Sequence, residues 1–381
     1  MGRTGSRKVH VSFSAGRLTH FGGVFLLHCF LQQLRIRTFL SERLRLDERN
    51  NHFSVTERLF ALLYPMILGL EKIELSALLG TNGVFQYLTG LPRFPNPTTL
   101  RRFLVGKSAE LLPKLHAAHN TLRTHFLNRS FPVSAICLDF DSTARTLYGN
   151  QEGAAKGYNP HHKGRKSYHP LICTEAHRKE CLGGELRYGN VHTAAGVREM
   201  LDEVLALLPK EIRSLRTRAD AGFYDGDFVA QLRQNGVGFA IVARMTAPLK
   251  YKVPGLRYQK ISKVFSTAEF QYKPHGWDKK CRFVVLREKL TEKRDEQLTL
   301  FKSNAYSYHV IVTNLPLTPY GVFRFYEDRS AMERIIRIAR DDYSFGTAPT
   351  NNFKANALYA ELSMLAYNLV IWFKLLCLPE D

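Results

Sequence analysis

Acidic residues are scarce in this 381-residue chain: 34 Asp and Glu face 54 Lys and Arg, a formal charge of +20. A deficit of that size points to a polyanionic partner, nucleic acid ahead of an anionic membrane surface. Cysteine is sparse as well. The six residues, at 29, 137, 173, 181, 281 and 377, include no CxxC pair and no Cys/His cluster of zinc-finger spacing, which argues against a structural zinc. Scattered among mostly apolar neighbours, they suit a reducing compartment, and a cytoplasmic location is expected. Uninterrupted apolar runs of membrane-spanning length are also missing. Arg3, Arg7, Lys8 and His10 sit where a secretory leader would be apolar, and residues 22–34 are too few to span a bilayer. Residues 359–378 carry Glu361, Asn368 and Lys374, so a buried helix fits them better. The chain is expected to be soluble, without a membrane partner. It has no internal repeat and no low-complexity tract, and its ordinary hydrophobic content predicts a packed core.

What is there divides into segments. Residues 1–130 read as mostly helical, with a capping Ser54 before an apolar stripe over 54–70. A Pro-rich turn at 91–97 then leads into a helix opening with Arg101 and Arg102. That layout resembles a helix-turn-helix module, and a plain helical docking region is the alternative. From 134 the pattern turns to strands, at 135–140, 167–174 and 184–190. A helix at 194–209, a strand entering 215–224, a helix over 225–236 and a strand at 237–245 follow. The order β-β-β-α-β-α-β predicts a mixed sheet with helices on its faces, as in the ribonuclease-H-like α/β fold. Residues 249–318 read as a β-rich insertion, and helical periodicity returns over 319–381. The expected division is 1–130, 131–248, 249–318 and 319–381.

Three acidic positions stand out. In Ile136-Cys137-Leu138-Asp139-Phe140-Asp141, alternation puts both carboxylates on one strand face opposite an apolar one. Two such charges are costly to bury without a cation. Asp220 ends the strand that enters 215–224, and strand ends beside helix starts are where α/β sites form. Tyr326, Arg329, Glu333 and Arg340 stand at offsets 0, 3, 7 and 14, a strip roughly 60° wide on a single helix. Residues 161–166, with His161, His162, Lys163, Arg165 and Lys166, form a basic loop suited to phosphate contact.

The runs DFDST (139–143), ADAGFY (219–224) and Y-x2-R-x3-E-x6-R (326–340) resemble DDE transposases of bacterial insertion sequences with a Y-R-E-K signature. The surroundings at 139–171 are most similar to the insertion-sequence-1380 family. Arg340 departs from that signature, which has Lys there. The resemblance implies an enzyme that cleaves double-stranded DNA at element ends and joins the 3′-OH ends to a target, working at least as a dimer with itself. It implies two Mg2+ or Mn2+ ions held by Asp141, Asp220 and Glu333, with Asp141 bridging. Arg329 and Arg340 would hold phosphates and Tyr326 would contact the DNA end. Trp277 is either a stacking partner for an extruded base or a packing residue. Asp139 is either a ligand neighbour or a surface or capping acid. A nuclease of the same fold without strand transfer, and a silent DNA-binding descendant, are the alternatives.

Overall fold

The strand expected over 135–140 runs from Ala135 to Ser142 (β1) and occupies the middle of a nine-stranded sheet. The computed structural model describes residues 19–47, 52–91, 93–129, 134–159, 162–290 and 306–379. Among the described residues before β1 lie the α-helices α1 (Val24–Gln33), α2 (Ile36–Arg43), α3 (Val55–Ile67), α4 (Ala77–Gly80), α5 (Gly83–Thr89) and the 33-residue α6 (Pro97–Arg129). Ser54 and Glu57 form a reciprocal capping box at the start of α3. Asn96 caps α6 by accepting from the Thr99 N–H.

After β1 come β2 (Arg145–Thr146), β3 (Ala155–Lys156), β4 (Lys166–Tyr168), β5 (Leu171–Glu175), β6 (Cys181–Glu185), α7 (Val197–Leu207) and β7 (Ser214–Ala219). Next are α8 (Gly226–Gln234), β8 (Gly238–Val242), α9 (Ala247–Lys252), β9 (Gln259–Lys260), β10 (Phe265–Tyr272), β11 (Cys281–Lys289) and β12 (Tyr306–Thr313). Three helices close the chain, α10 (Pro319–Glu327), α11 (Ser330–Asp341) and α12 (Phe353–Cys377). The large sheet has the order β6-β5-β1-β7-β8-β12-β11-β10-β9, and β2, β4 and β3 form a small second sheet. Strand β1 runs antiparallel to β5 and parallel to β7, and β7 is parallel to β8. This is a mixed α/β architecture. The strands of 249–318 join the same sheet through the antiparallel β8–β12 pair, so they extend it.

Alternation along the strands assigns the layers. Ile136, Leu138 and Phe140 of β1, Phe239 and Ile241 of β8, and Val310 and Val312 of β12 share one cluster with α7 and α8. On the opposite face Ile172 and Cys181 pack with α6, α11 and α12, while Ala240, Val284 and Ile311 pack with Val322 and Phe323 of α10. Helices therefore cover both faces, with two separate apolar clusters on the second. Between those clusters lies the polar face of β1 and β7.

Two expected strands shift. The run 167–174 splits at His169-Pro170, with Tyr168 going to the small sheet and Leu171 to the large one. Strand β6 runs from Cys181 to Glu185, starting three residues before the expected 184–190 and ending five residues before its end. A Cβ at Gly183 would strike Met200 of α7, and one at Gly184 would strike Met364 of α12. Helices press this strand from both sides, and only glycine leaves room for them.

Helix α12 is long and apolar enough to cross a membrane, yet its residues from Leu358 to Leu369, with Trp372, are buried within the fold. It packs along α6, where Glu361 accepts from His119 Nδ1 at 2.7 Å. Asn368 Nδ2 donates to the other ring nitrogen of His119 at 2.9 Å, which fixes a neutral imidazole with its proton on Nδ1. Burial, then the nearby Arg123 guanidinium, lowers His119 to about 4. Its partner Glu361 is held ionised, and His116 is raised chiefly by its hydrogen bond to Glu361.

Since His119 titrates lower in the folded chain than its ordinary 6.5, the unfolded chain takes the proton first. The stabilisation is complete above pH 6.5 and declines as pH falls toward 4. About 2 kcal/mol should be lost between pH 6.5 and 5 from this residue. His116 acts with the opposite sign, giving stability that is present below 6.5 and lost as pH rises. Urea unfolding of His119→Asn should therefore show a smaller stability loss from pH 7 to 5 than the unmodified chain.

Candidate active site

The parallel register pairs Asp139 with Arg218 and Phe140 with Ala219, so Asp141 and Asp220 meet at the next step, where β7 ends. With a period of two, Asp139, Asp141, Arg218 and Asp220 share one face. Their backbones are neighbours at about 4.8 Å. Arg218 donates to both Asp139 oxygens, from Nε at 2.7 Å and from Nη2 at 2.8 Å. Both side chains are almost inaccessible, 1% for Asp139 and 4% for Arg218. Asp139 is thus neither a surface acid nor a helix cap. Arg218 Nη1 donates further to Phe325 O in α10 at 2.9 Å, fastening that helix over the sheet.

Asp141 keeps some contact with solvent, at 15% exposure. Its Oδ1 accepts from the Ser142 N–H at 2.6 Å, and its Oδ2 lies 3.2 Å from Arg329 Nη2. Burial pushes the Asp141 carboxyl up to about 6; Arg329 opposes this, while Asp220 and, more weakly, Glu333 add to it. The three expected acids therefore share one electrostatic field. Asp220 accepts from the Gly222 N–H at 2.8 Å and so caps the short turn that follows β7. A Cβ on Gly222 would lie 2.5 Å from Thr193 Cγ2 and 3.0 Å from Asp220 Oδ1, so glycine lets this turn close. Asp225, a rival for the capping role, caps α8 instead.

The single helix expected over 326–340 is two helices. Helix α10 ends at Glu327, α11 begins at Ser330, and Arg329 lies at the joint. The chain changes partners there: Val322 and Phe323 bury against one cluster, and Met332, Ile335 and Ile336 against the other. The break aims the Arg329 guanidinium inward, where Nη2 donates to Phe140 O at 3.0 Å as well as meeting Asp141. Tyr326 is raised by burial, with Asp220 and Asp141 adding to the shift, so its phenol faces the same acids.

The remaining expected residues are more dispersed. Glu333 is exposed on the first turn of α11, and among the described residues no three of His, Cys, Asp or Glu could hold a metal ion. The hard carboxylate oxygens of Asp141, Asp220 and Glu333 match Mg2+ or Mn2+ in kind. Arg340 bonds Asp341 through Nε and Nη2 and lies in the field of Arg145. Lys163 and Arg165 are exposed on a turn before β4 and Lys166 is exposed at its first position; His161 lies outside the described residues. Arg101 is occupied within the fold, bonding Glu74 and Pro349 O, whereas Arg102 faces solvent. Trp277 packs on Tyr224 with ring centroids 4.9 Å apart and lies against Gly226 at the start of α8. Arg218 was not among the expected residues. Its signal was present, since it precedes Asp220 by the same two residues by which Asp139 precedes Asp141.

Among solved structures the fold is similar to the piggyBac transposase in a cryo-EM synaptic complex with hairpin DNA. The TM-score is 0.52 at 10% identity, covering 92% of this chain and 74% of that one. No curated protein sequence matches this chain. The sequence model of the transposase DDE domain group 1 matches residues 1–381, and the chain belongs to that family.

Proposed function

We propose that this transposase binds the terminal inverted repeats of an insertion sequence, cleaves the DNA ends and joins the 3′-OH ends to target DNA. The observation that carries the reading is the meeting of Asp141 and Asp220 at the ends of β1 and β7, with Arg329 on Asp141 and Tyr326 beside them, at one end of the sheet. The Y-R-E-K signature and the likeness to the insertion-sequence-1380 family are part of the same reading. So is a ribonuclease-H-like core, supported by the order β6-β5-β1-β7-β8 with its parallel β1, β7 and β8. Pairing two DNA ends calls for at least two protomers in the DNA complex. The surplus of basic residues supports binding to its phosphates.

With Mg2+ or Mn2+ on Asp141, Asp220 and Glu333, the site would activate a water or a DNA 3′-OH and neutralise the phosphate. The protein supplies the positioning. β1 and β7 fix Asp141 and Asp220 side by side, and the Asp139–Arg218 pair two residues behind them locks the register. Arg329 holds a counter-charge against Asp141. Glu333 has to move inward to complete a shared ligand set. Arg329 and Tyr326 then face a DNA phosphate rather than a bare carboxylate.

The test is incubation with Mg2+ and a supercoiled plasmid bearing candidate terminal repeats. Excised and joined products are expected. Nicking without joining would favour a nuclease, and binding without cleavage a silent DNA-binding descendant.

A further inference from the structure

Beside the acid cluster lies a second concavity, a pocket of about 550 Å3 between the segment after β1 and the end of α11. Its floor and walls carry Arg145, Tyr148, Gln151, His162 and Arg340. Arg145 is half-buried, and among the described residues its guanidinium has no hydrogen bond or ion pair. Burial, then the like charge of Arg340, lowers it. Arg340 is shared with Asp341 alone. Two cations held together, with Asp341 and Glu71 as the acids nearby, make a place for an anion.

Two further features say more about the ligand. Tyr148 is 79% exposed, an aromatic face left open at the pocket's edge. The amide oxygen of Gln151 is buried and has no hydrogen-bond partner. An orphaned buried acceptor is costly, and nothing loose in the chain explains it. The neighbouring Glu152 is tied down twice: its N–H donates to Asn351 O at 2.9 Å, and its carboxylate accepts from the Phe353 N–H at 2.9 Å. Tyr168 Oη adds a hydrogen bond to Glu152 O at 2.7 Å. Gly157 and Gly189 bring the backbones of this segment and the strand-like turn at 188–190 so close that a Cβ on either would strike a carbonyl oxygen. The pocket is therefore built in advance. A cation pair, a stacking face and a hydrogen-bond acceptor together match a nucleotide better than a bare anion.

We infer that this pocket holds a single nucleotide of a DNA strand, its phosphate on Arg145 and Arg340, its base on Tyr148 and its exocyclic amine on Gln151. The inference rests on the transposase reading above. Arg340 follows Glu333 by seven residues, about 10 Å along α11, which corresponds to roughly three nucleotide steps from the acids. The pocket would fix the strand's register relative to the bond that is cut.

The test uses the full chain, labelled single-stranded dA12 and the same oligomer with abasic positions, at about 0.2 M NaCl to suppress phosphate-only binding. Arg145→Ala should weaken dA12 about tenfold and reduce the salt slope by about one, with Arg145→Lys recovering part of the charge effect. Gln151→Leu should weaken dA12 about fivefold and leave the abasic oligomer unchanged. Tyr148→Ala should do the same at fivefold or more. Urea midpoints establish that the variants are folded, and Arg340→Ala is the second probe if Arg145→Ala is not. Unchanged binding by Arg145→Ala and Arg340→Ala would overturn the inference, as would equal losses for dA12 and abasic DNA in Gln151→Leu. If the plasmid is excised and joined yet these variants bind normally, the pocket falls alone. If no cleavage occurs but the variants behave as expected, the pocket stands and the transposition reading falls.

Discussion

Asp141→Ala is expected to lower metal-dependent plasmid cleavage at least about 1,000-fold, a loss of roughly 4 kcal/mol of transition-state stabilisation. The size follows from where Asp141 sits. It is the acid whose field contains both Asp220 and Glu333, and it keeps 15% exposure. DNA binding should persist or tighten, because one negative charge leaves a strongly basic surface. Loss of activity alone would not separate a ligand from a structural acid, so Asp141→Cys is the sharper variant. A thiolate is a soft ligand that Mg2+ tolerates poorly and Mn2+ accepts better, so cleavage should return in part with Mn2+ and not with Mg2+. Asp220→Asn and Glu333→Gln should each abolish cleavage with DNA binding retained. Full activity in any of the three would remove that residue from the ligand set.

The shared face of Asp139 and Asp141, and the place of Asp220 at a strand end, were legible in the sequence because strand alternation and strand ends are local signals. Leu138 and Phe140 define the apolar face of β1, so Asp139 and Asp141 had to share the other. Which of the two was structural depended on Arg218, seventy-nine residues away, and on a pairing register that no local pattern states. The break at Arg329 was hidden for a related reason. Tyr326, Arg329, Glu333 and Arg340 keep a helical period across it, and the cause of the break is a change of apolar partner on the sheet. The early start of β6 left no local signal, because the role of Gly183 and Gly184 lies in Met200 and Met364, from helices on opposite faces. The pocket around Arg145 left no motif, since its residues come from a loop and from the far end of α11.

Arg218→Met is expected to destabilise the fold by about 3–5 kcal/mol, because it strands the Asp139 carboxylate in a site with 1% exposure. A domain of ordinary stability has roughly 5–15 kcal/mol in total, so the single variant should be visibly labile in urea or should accumulate poorly. The pair's net worth is a different quantity from the cost of breaking it. Both charges lost their hydration on folding, and their mutual attraction and the bond to Phe325 O offset that loss. Replacing both at once, Asp139→Leu with Arg218→Met, removes the stranded charge and leaves two apolar side chains of similar volume facing each other between β1 and β7. The double variant should recover most of the lost stability, to within about 1–2 kcal/mol of the unmodified chain. Its catalytic behaviour then distinguishes two roles for the pair. If the pair only holds the sheet together, the stable double variant should cleave plasmid nearly as well as the unmodified protein. If it aims Asp141 and Asp220, two residues further along the same strands, cleavage should stay at least tenfold low while urea stability is restored. The second outcome is expected, because the Arg218 bond to α10 also sets where the Arg329 joint meets Phe140 O and Asp141.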